Sequence, residues 1–447
     1  MGRKNPGAAG SSQLSLSDNP VFRYVKQRIG ASDWVLIRGS ALVSIGSVVA
    51  RALAFAFLLI LGRVFTSDDY GHIQYVIAMG GLLAIGTQAF GQHVVARFLG
   101  GLSDDAEGIR RIQSNGWVIL GVLIVLTIAL AVPVLSLTGK FEPGMLVIFA
   151  ASTFFYLYWG MSRGLLAPGR LTAAYLAANT VQIILTVVLL IALRIHSPLL
   201  AVSIYGLSFI IPLPFIQMIR PLPFGFSLRS VQWATIRKMV RFSVPVWFSH
   251  AGYMLFVAVD TLMVEHFASA STLGSYTLSK TLSSVFIFLP MGISTVLMPH
   301  VTEMPRSEHW TLLRKVLLVV LVVSAVMLAI YAPSARWFII HVYGPDYLPE
   351  PGVLMILAVA MVLVGLHSVI TAVLVGGDRP HEETISRLAA LAVMLPVGWV
   401  LIPDTGGLGA SVSVLAGISA AIMTNGVLAV VRKRRVRLEG EPDSQAI

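Results

Sequence analysis

Twelve apolar runs of about 17 to 25 residues, the length needed to cross a hydrocarbon core, divide this chain of 447 residues. They centre near residues 51, 82, 126, 155, 183, 208, 254, 288, 325, 363, 393 and 419. Runs of this length leave few folds open. Lipid offers no hydrogen bonds, so each run must satisfy its own backbone, and separate spans separated by short polar loops do so as helices. The expected class is therefore an all-α integral membrane protein. Composition agrees, with 56% hydrophobic and 12% charged residues and a mean hydropathy of +0.82. The chain has no cysteine, which excludes disulfides and thiolate metal sites. Residues 1–39 are polar and basic, and the run that begins near Ser40 is too long for the core of a cleavable signal peptide. It reads as a retained first span.

With twelve spans both termini share one side, and the 32 Lys and Arg can be sorted by loop. The two tails and the even-numbered loops hold 26 of them. The odd loops hold only Arg63, Lys140, Arg194 and Arg336, while Arg51 and Lys280 lie within spans. The positive-inside rule then puts both termini in the cytoplasm and the odd loops outside. The net charge of +11 thus reports topology and contact with anionic membrane lipid. Without a module of interleaved basic and aromatic residues, no nucleic-acid partner is expected.

The first outer loop, GRVFTSDDYGHIQY (62–75), has a blurred copy in EHFASASTLGSYTL (265–278), where Phe267, Ser269 and Gly274 echo Phe65, Ser67 and Gly71. LLAPGR, ending at Arg170, is answered by VLVGGDR, ending at Arg379. The spans near 126 and 325, third in each half, are the most uniformly apolar and are the expected lipid-facing helices. An offset near 202 with six spans between copies implies a parallel duplication. The expected organisation is a basic cytoplasmic tail (1–39), a six-helix bundle (40–220), an interfacial amphipathic linker (221–241), a second six-helix bundle (242–431) and a basic cytoplasmic tail (432–447). In the linker, Val231, Ile236, Met239 and Val240 form an apolar face.

Polar residues within the spans mark candidate sites. Ser40, Ser44, Ser47 and Arg51 fall within about 60° of one another on a helix, a stripe that ends in a charge near mid-span. A central arginine costs about 2.5 to 3.5 kcal/mol and needs a partner or a wet cavity. Span 7 carries Ser249, Tyr253 and Asp260 on one face, with His250 at its edge, and span 8 carries Thr277, Lys280, Thr281 and Ser284. Asp260 and Lys280 lie at depths that differ by about 3 Å, so an ion pair across their hairpin is easy. Gln88 and Gln92 line up in span 2, ahead of Arg97. These four spans, first and second of each half, are expected to line a central polar cavity. Interhelical packing of the serines and a static Asp260 to Lys280 bridge are the plainer readings of the same residues.

No phosphate-binding G-x-x-x-x-G-K-[ST] loop occurs, so the chain is not expected to be an ATPase, and the HEE at His381 to Glu383 lacks further ligands at metal spacing. The outer loops are too short to hold an active-site domain, which disfavours a membrane glycosyltransferase or ligase.

The first loop, with Arg63, Val64, Phe65, Asp68, Asp69, Tyr70 and Gly71, the 260–276 hairpin with Asp260, Gly274 and Tyr276, and LLAPGR together resemble the bacterial polysaccharide transporter family. This Wzx-like family of lipid-linked oligosaccharide flippases belongs to the multidrug/oligosaccharidyl-lipid/polysaccharide exporter superfamily. The similarity covers about residues 35 to 430, although Phe65-Thr66-Ser67 stands where Leu-Gly-Pro is common. It implies a V-shaped pair of bundles in the bacterial cytoplasmic membrane. It also implies alternating access that carries a polyprenyl-diphosphate-linked sugar outward, without catalysis or cofactor, beside polysaccharide polymerase and assembly proteins.

A guanidinium holds an anionic diphosphate through paired hydrogen bonds, which makes Arg51 the expected headgroup ligand. Lys280 would receive the headgroup outward, with Asp260 competing for it. Asp260, Glu265 or His250 could couple H⁺ or Na⁺. Arg97, Arg163, Arg170 and Arg241 stand at the cytoplasmic portal, and Ser44, Ser47, Gln88, Gln92, Tyr253, Thr277, Thr281 and Ser284 line the expected cavity. A drug/cation antiporter of the same superfamily is the alternative, disfavoured because the deep charges besides Asp260 are cationic. A non-transporting scaffold would leave the polar stripes dry.

Overall fold

The computed structural model describes residues 52–100, 105–165, 197–219 and 225–439 as continuous stretches, together with Val49, Leu102 and part of 180–192. Helices are the only regular elements among these residues. Arg51, Ser44, Ser47 and Arg170 lie outside the described residues.

A short apolar helix, α1 (Ala52–Val64), leads into the repeated loop. Thr66 then caps α2 (Ser67–Leu83), its hydroxyl accepting from the Asp69 backbone N–H, while Asp68 and Asp69 offset the helix dipole in the first turn. Next come α3 (Ile85–Leu99), α4 (Ala106–Leu137), α5 (Pro143–Leu165), α6 (Pro198–Ser208) and α7 (Pro212–Ile219). The second half opens with α8 (Trp233–Phe267). There Ser269 caps α9 (Ala270–Ser283) as Thr66 caps α2, accepting from the Thr272 N–H. Three helices follow: α10 (Val285–Glu303), α11 (Arg306–Val342) and α12 (Val353–Gly376). The last stretch, Pro380–Glu439, breaks at Gly406, where φ 50 and ψ −124 suit glycine alone. We number its arms α13 (380–405) and α14 (407–439). They run antiparallel, since a Cβ on Gly417 would sit 2.9 Å from Met394 Cβ and Arg432 reaches Glu382 at 2.8 Å.

Six helices among the described residues are long and apolar enough to cross a membrane, or eight if each bent pair counts as one span. Several causes separate this number from the twelve apolar runs. The runs near 51 and 183 lie partly outside the described residues, α1 and α6 are short, and the runs near 393 and 419 are the two arms folded at Gly406. The bent pairs are α2 with α3, at 57°, and α9 with α10, at 42°. They are the second spans of the two halves. Neither break has a proline. Glycines flank the first and Thr87 donates back to Ala84 O at 3.0 Å, while at the second Thr281 and Ser284 donate to Thr277 O and Thr281 O. Such back-bonding competes with the helical ladder and bends it.

Burial separates lipid-facing helices from core ones. Only 11% of the apolar window of α4, and 11% of that of α11, is buried, against 72% for α5. The two third spans are thus among the least buried helices, and α8, at 12%, shares that exposure. A groove of about 430 Å³ on α4, walled by Trp117, Val122, Val125 and Phe226, is wholly apolar and suits a lipid chain rather than a charged group.

The segment between the halves is laced to α4. The Asn115 side chain accepts from Gln232 N at 2.8 Å and donates to Ser230 O at 3.2 Å, Ser114 Oγ accepts from Ser227 N, and Gln113 accepts from Gly225 N. The apolar face of the linker packs on the first half, with Ile236 and Met239 buried against a cluster that includes Phe90, Val94 and Leu157. From Trp233 the helix continues without interruption, past Pro245, to Phe267. One helix therefore links the anchored segment to the second half.

Candidate functional site

Asp260 sits on the buried face of α8, and Lys280 reaches it from α9. The ammonium lies 2.7 Å from Oδ1 and 2.6 Å from Oδ2, and it also donates to Val257 O at 2.7 Å. Tyr276, one turn before Lys280, donates its hydroxyl to Asp260 Oδ2 at 2.6 Å. The carboxylate is fully buried, whereas the Lys280 side chain keeps 21% exposure. Taking two charges out of water costs several kcal/mol each, and only this set of partners offsets it. Both members belong to the second half, so the pair can persist whatever the halves do relative to each other.

Above this pair, at the end carrying the odd loops, the two copies of the repeated loop pack against each other. Gly71 on α2 faces Gly274 on α9, and a Cβ on Gly71 would lie 2.7 Å from Ala270 O and 2.8 Å from Gly274 N. Ser67 donates to Ser271 O at 3.1 Å, and the Tyr70 and Thr281 hydroxyls are 3.4 Å apart. Tyr347, in the loop after α11, donates to Phe65 O at 2.8 Å. Burial pushes that phenol far above its ordinary pKa, so it stays a donor. A further contact between the halves is the ion pair of Glu265, at the end of α8, with Lys140 of the α4–α5 loop at 2.5 Å.

The other expected residues divide by surroundings. Thr277 and Thr281 are buried between α2 and α9 with their hydroxyls on their own backbone, and Ser284 donates to Thr281 O. Gln88 is buried within the first half, while Gln92 is half-buried. In this conformation these groups make helix contacts. Tyr253 is exposed, with the Arg387 guanidinium 4.9 Å above its ring, and His250 faces His93 of α3. Arg97, Arg163 and Arg241 are exposed at the even-loop end, with Arg97 5.5 Å over the Phe242 ring. Among the described residues no cluster of three His, Asp or Glu is placed to hold a metal.

Sequence reasoning missed four contributors: Tyr276 as the second partner of Asp260, Lys140 as the partner of Glu265, His93 and Arg387. Lys140 carried a signal, being one of only four basic residues in the odd loops. Tyr276 lies on the same hairpin as Asp260, one turn before Lys280, whereas His93 and Arg387 depend on contacts between helices distant in sequence.

Bent spans, a buried ion pair within them, and lipid-facing third helices define a multi-pass helical membrane protein with a transporter-like fold. The chain belongs to the polysaccharide biosynthesis protein family, whose model matches residues 36–305. No curated protein matches it. Among solved structures, the lipid II flippase MurJ in an inward closed conformation superposes with a TM-score of 0.68 at 12% identity, over 86% of this chain and 86% of that one. An inward-facing multidrug resistance MATE family transporter of the MOP superfamily gives 0.64 at 16% identity, covering 88% and 96%. An outward-facing one gives 0.61 at 15%, covering 90% and 98%. These likenesses establish the fold.

Proposed function

We propose that this protein is a flippase that moves a polyprenyl-diphosphate-linked oligosaccharide across the bacterial cytoplasmic membrane by alternating access between two six-helix bundles. In this reading the chain makes twelve spans, both termini are cytoplasmic, and the odd-loop end faces outward. It is a transporter and not an enzyme. Its partners are the lipid-linked glycan, anionic membrane lipid and the polymerase and assembly proteins that use the exported unit.

The observation that carries this reading is the close packing of the two loop copies at Gly71 and Gly274, directly above the Asp260 to Lys280 pair. A seam of small residues with few hydrogen bonds can separate without leaving many buried groups unpaired, as an outer gate must. In this reading Arg51, known from the sequence alone, holds the diphosphate, Lys280 receives it as the gate opens, and Asp260 recaptures Lys280 on release. Arg97, Arg163, Arg170 and Arg241 gather the headgroup at the cytoplasmic portal. Glu265, Asp260 or His250 would couple H⁺ or Na⁺. The deciding experiment is translocation of a fluorescent polyprenyl-diphosphate sugar in proteoliposomes. Arg51→Ala at normal expression should abolish it, and unchanged translocation would remove Arg51 from the headgroup site.

A second reading, drug/cation antiport, draws on the likeness to MATE transporters. Against it, Asp260 is already neutralised by Lys280 and bonded by Tyr276. Export of cationic dyes by the purified protein would favour this alternative.

A further inference from the structure

The apolar groove on α4 lies beside charges that the transport path does not use. Trp117, Gly121, Val122 and Val125 line it from α4, and Phe226, from the segment between the halves, adds a further wall, around about 430 Å³. Val122 and Val125 are exposed, so the groove opens away from the core. The Trp117 ring packs against Phe154 of α5, with centroids 6.2 Å apart. A Cβ on Gly121 would meet nothing within 4 Å, so the middle of the groove is open space. Apolar walls offer water no hydrogen bonds, and a hydrocarbon gains most by filling them.

At its even-loop end the groove meets arginines. Arg110 stands seven residues before Trp117, two turns and about 10 Å along α4, on the same face. It also lies beside the residue that precedes Phe226: a Cβ on Gly225 would fall 3.6 Å from Arg110 Cγ and 3.8 Å from its Nε. Arg229 follows in the same segment, which Ser114 and Asn115 hold along α4 through Ser227 N and Ser230 O. Both arginines are exposed, and neither enters an ion pair among the described residues. Helical side chains lean toward the N-terminus, here the even-loop end, which carries the Arg110 guanidinium toward the headgroup level.

We propose that this is a binding site for one anionic phospholipid of the leaflet at the even-loop end, with an acyl chain in the groove and the phosphate on Arg110 and Arg229. Guanidiniums give paired donors to phosphate oxygens and the groove takes hydrocarbon, so one amphiphile satisfies both. Phe226 belongs to the segment that leads into α8. A chain held between Phe226 and α4 therefore braces that segment and adds to the bonds made by Asn115. The occupant is a resident lipid of the bilayer, and the site does not rest on the flippase reading.

The test titrates the full chain, delipidated in detergent, with phosphatidylglycerol and phosphatidylethanolamine, and counts bound lipids by native mass spectrometry. The wild type should bind its first phosphatidylglycerol more tightly than phosphatidylethanolamine. Arg110→Gln and Gly121→Leu should each weaken that binding by about fivefold or more. Arg314→Gln removes the same charge from an exposed site on α11, 204 residues further on, and should leave it unchanged. Gly121→Leu places its side chain in open space and removes a helical glycine, which favours folding. Melting without lipid checks this, and Arg110→Gln, a surface change, carries the comparison if the leucine variant fails. Bound phosphatidylglycerol should also slow proteolysis within 225–232 in the wild type and not in Gly121→Leu. Equal binding of the two lipids, or an equal loss in Arg314→Gln and Arg110→Gln, would reduce the attraction to general charge and overturn the site. Polyprenyl diphosphate is the competing probe. Displacement of phosphatidylglycerol by it at lower concentration would give the groove to the tail of a lipid-linked substrate instead. A dimer mass that Gly121→Leu abolishes would give it to a second copy of the chain.

Discussion

Gly274 presses on Ser67 so closely that a Cβ placed on it would lie 1.9 Å from the Ser67 carbonyl oxygen. These residues belong to the two copies of one duplicated loop, and that contact brings the copies together.

Gly274→Ala must push α9 away from α2, and overpacking of this kind costs about 1 to 3 kcal/mol. The variant is expected to melt earlier than wild type in detergent. A melting temperature equal to wild type would show that the two helices do not meet there.

The chain has no cysteine, so single pairs can be introduced without background. Ser67→Cys with Ser271→Cys joins positions already linked by a 3.1 Å hydrogen bond. Oxidation should arrest translocation and reduction should restore it, whereas each single variant should transport normally. Full transport by the oxidised pair would mean that this seam never opens.

Removing Lys280 alone leaves Asp260 charged and buried with Tyr276 as its remaining side-chain partner, a loss of about 3 to 5 kcal/mol. Lys280→Met should therefore be more destabilising than the double variant with Asp260→Asn, which removes the stranded charge. Thermal unfolding of both singles and the double gives the coupling; additive losses would argue against a direct pair.

Lys140 and Glu265 are partly exposed, with side chains 36% and 21% accessible. Such a pair is worth about 0 to 1 kcal/mol and is screened by salt. Glu265→Gln should leave stability within that range. If Glu265 also couples an ion, the same variant loses the ion dependence of transport, which a flux assay at varied Na⁺ and pH reads directly.

Asn115 is buried and both anchors and orients the linker through two hydrogen bonds. Asn115→Ala leaves a backbone N–H and a carbonyl without their partner, at a cost of about 1 to 3 kcal/mol. Faster proteolysis near 225–232 is the expected readout; unaltered cleavage would show that the linker is held by other means.

Local pattern made much of this legible. The lipid-facing roles of α4 and α11 followed from their uniform apolarity, and Asp260 and Lys280 met because a short hairpin fixes their depths. The repeat was visible as Phe65, Ser67 and Gly71 against Phe267, Ser269 and Gly274. That the copies would touch was not, because sequence similarity places two loops on one side without fixing the distance between them. The docking of Ile236 and Met239 was hidden for a related reason: an amphipathic face reads the same whether lipid or protein covers it. His93 carried no periodic signal, since it lies in a π turn, Phe90–Val95, that departs from the regular helical repeat.

The uninterrupted α8 behaves mechanically as a lever. Its near end is tied to the first half by Asn115, its far portion is clasped to α9 through Asp260, and Pro245, which lacks an N–H, weakens the ladder between them. A bend of about 10° at that proline would swing the level of Asp260, about 22 Å further along, by roughly 4 Å. Small rotations at the linker would thus arrive at the glycine seam as displacements comparable to the width of a side chain.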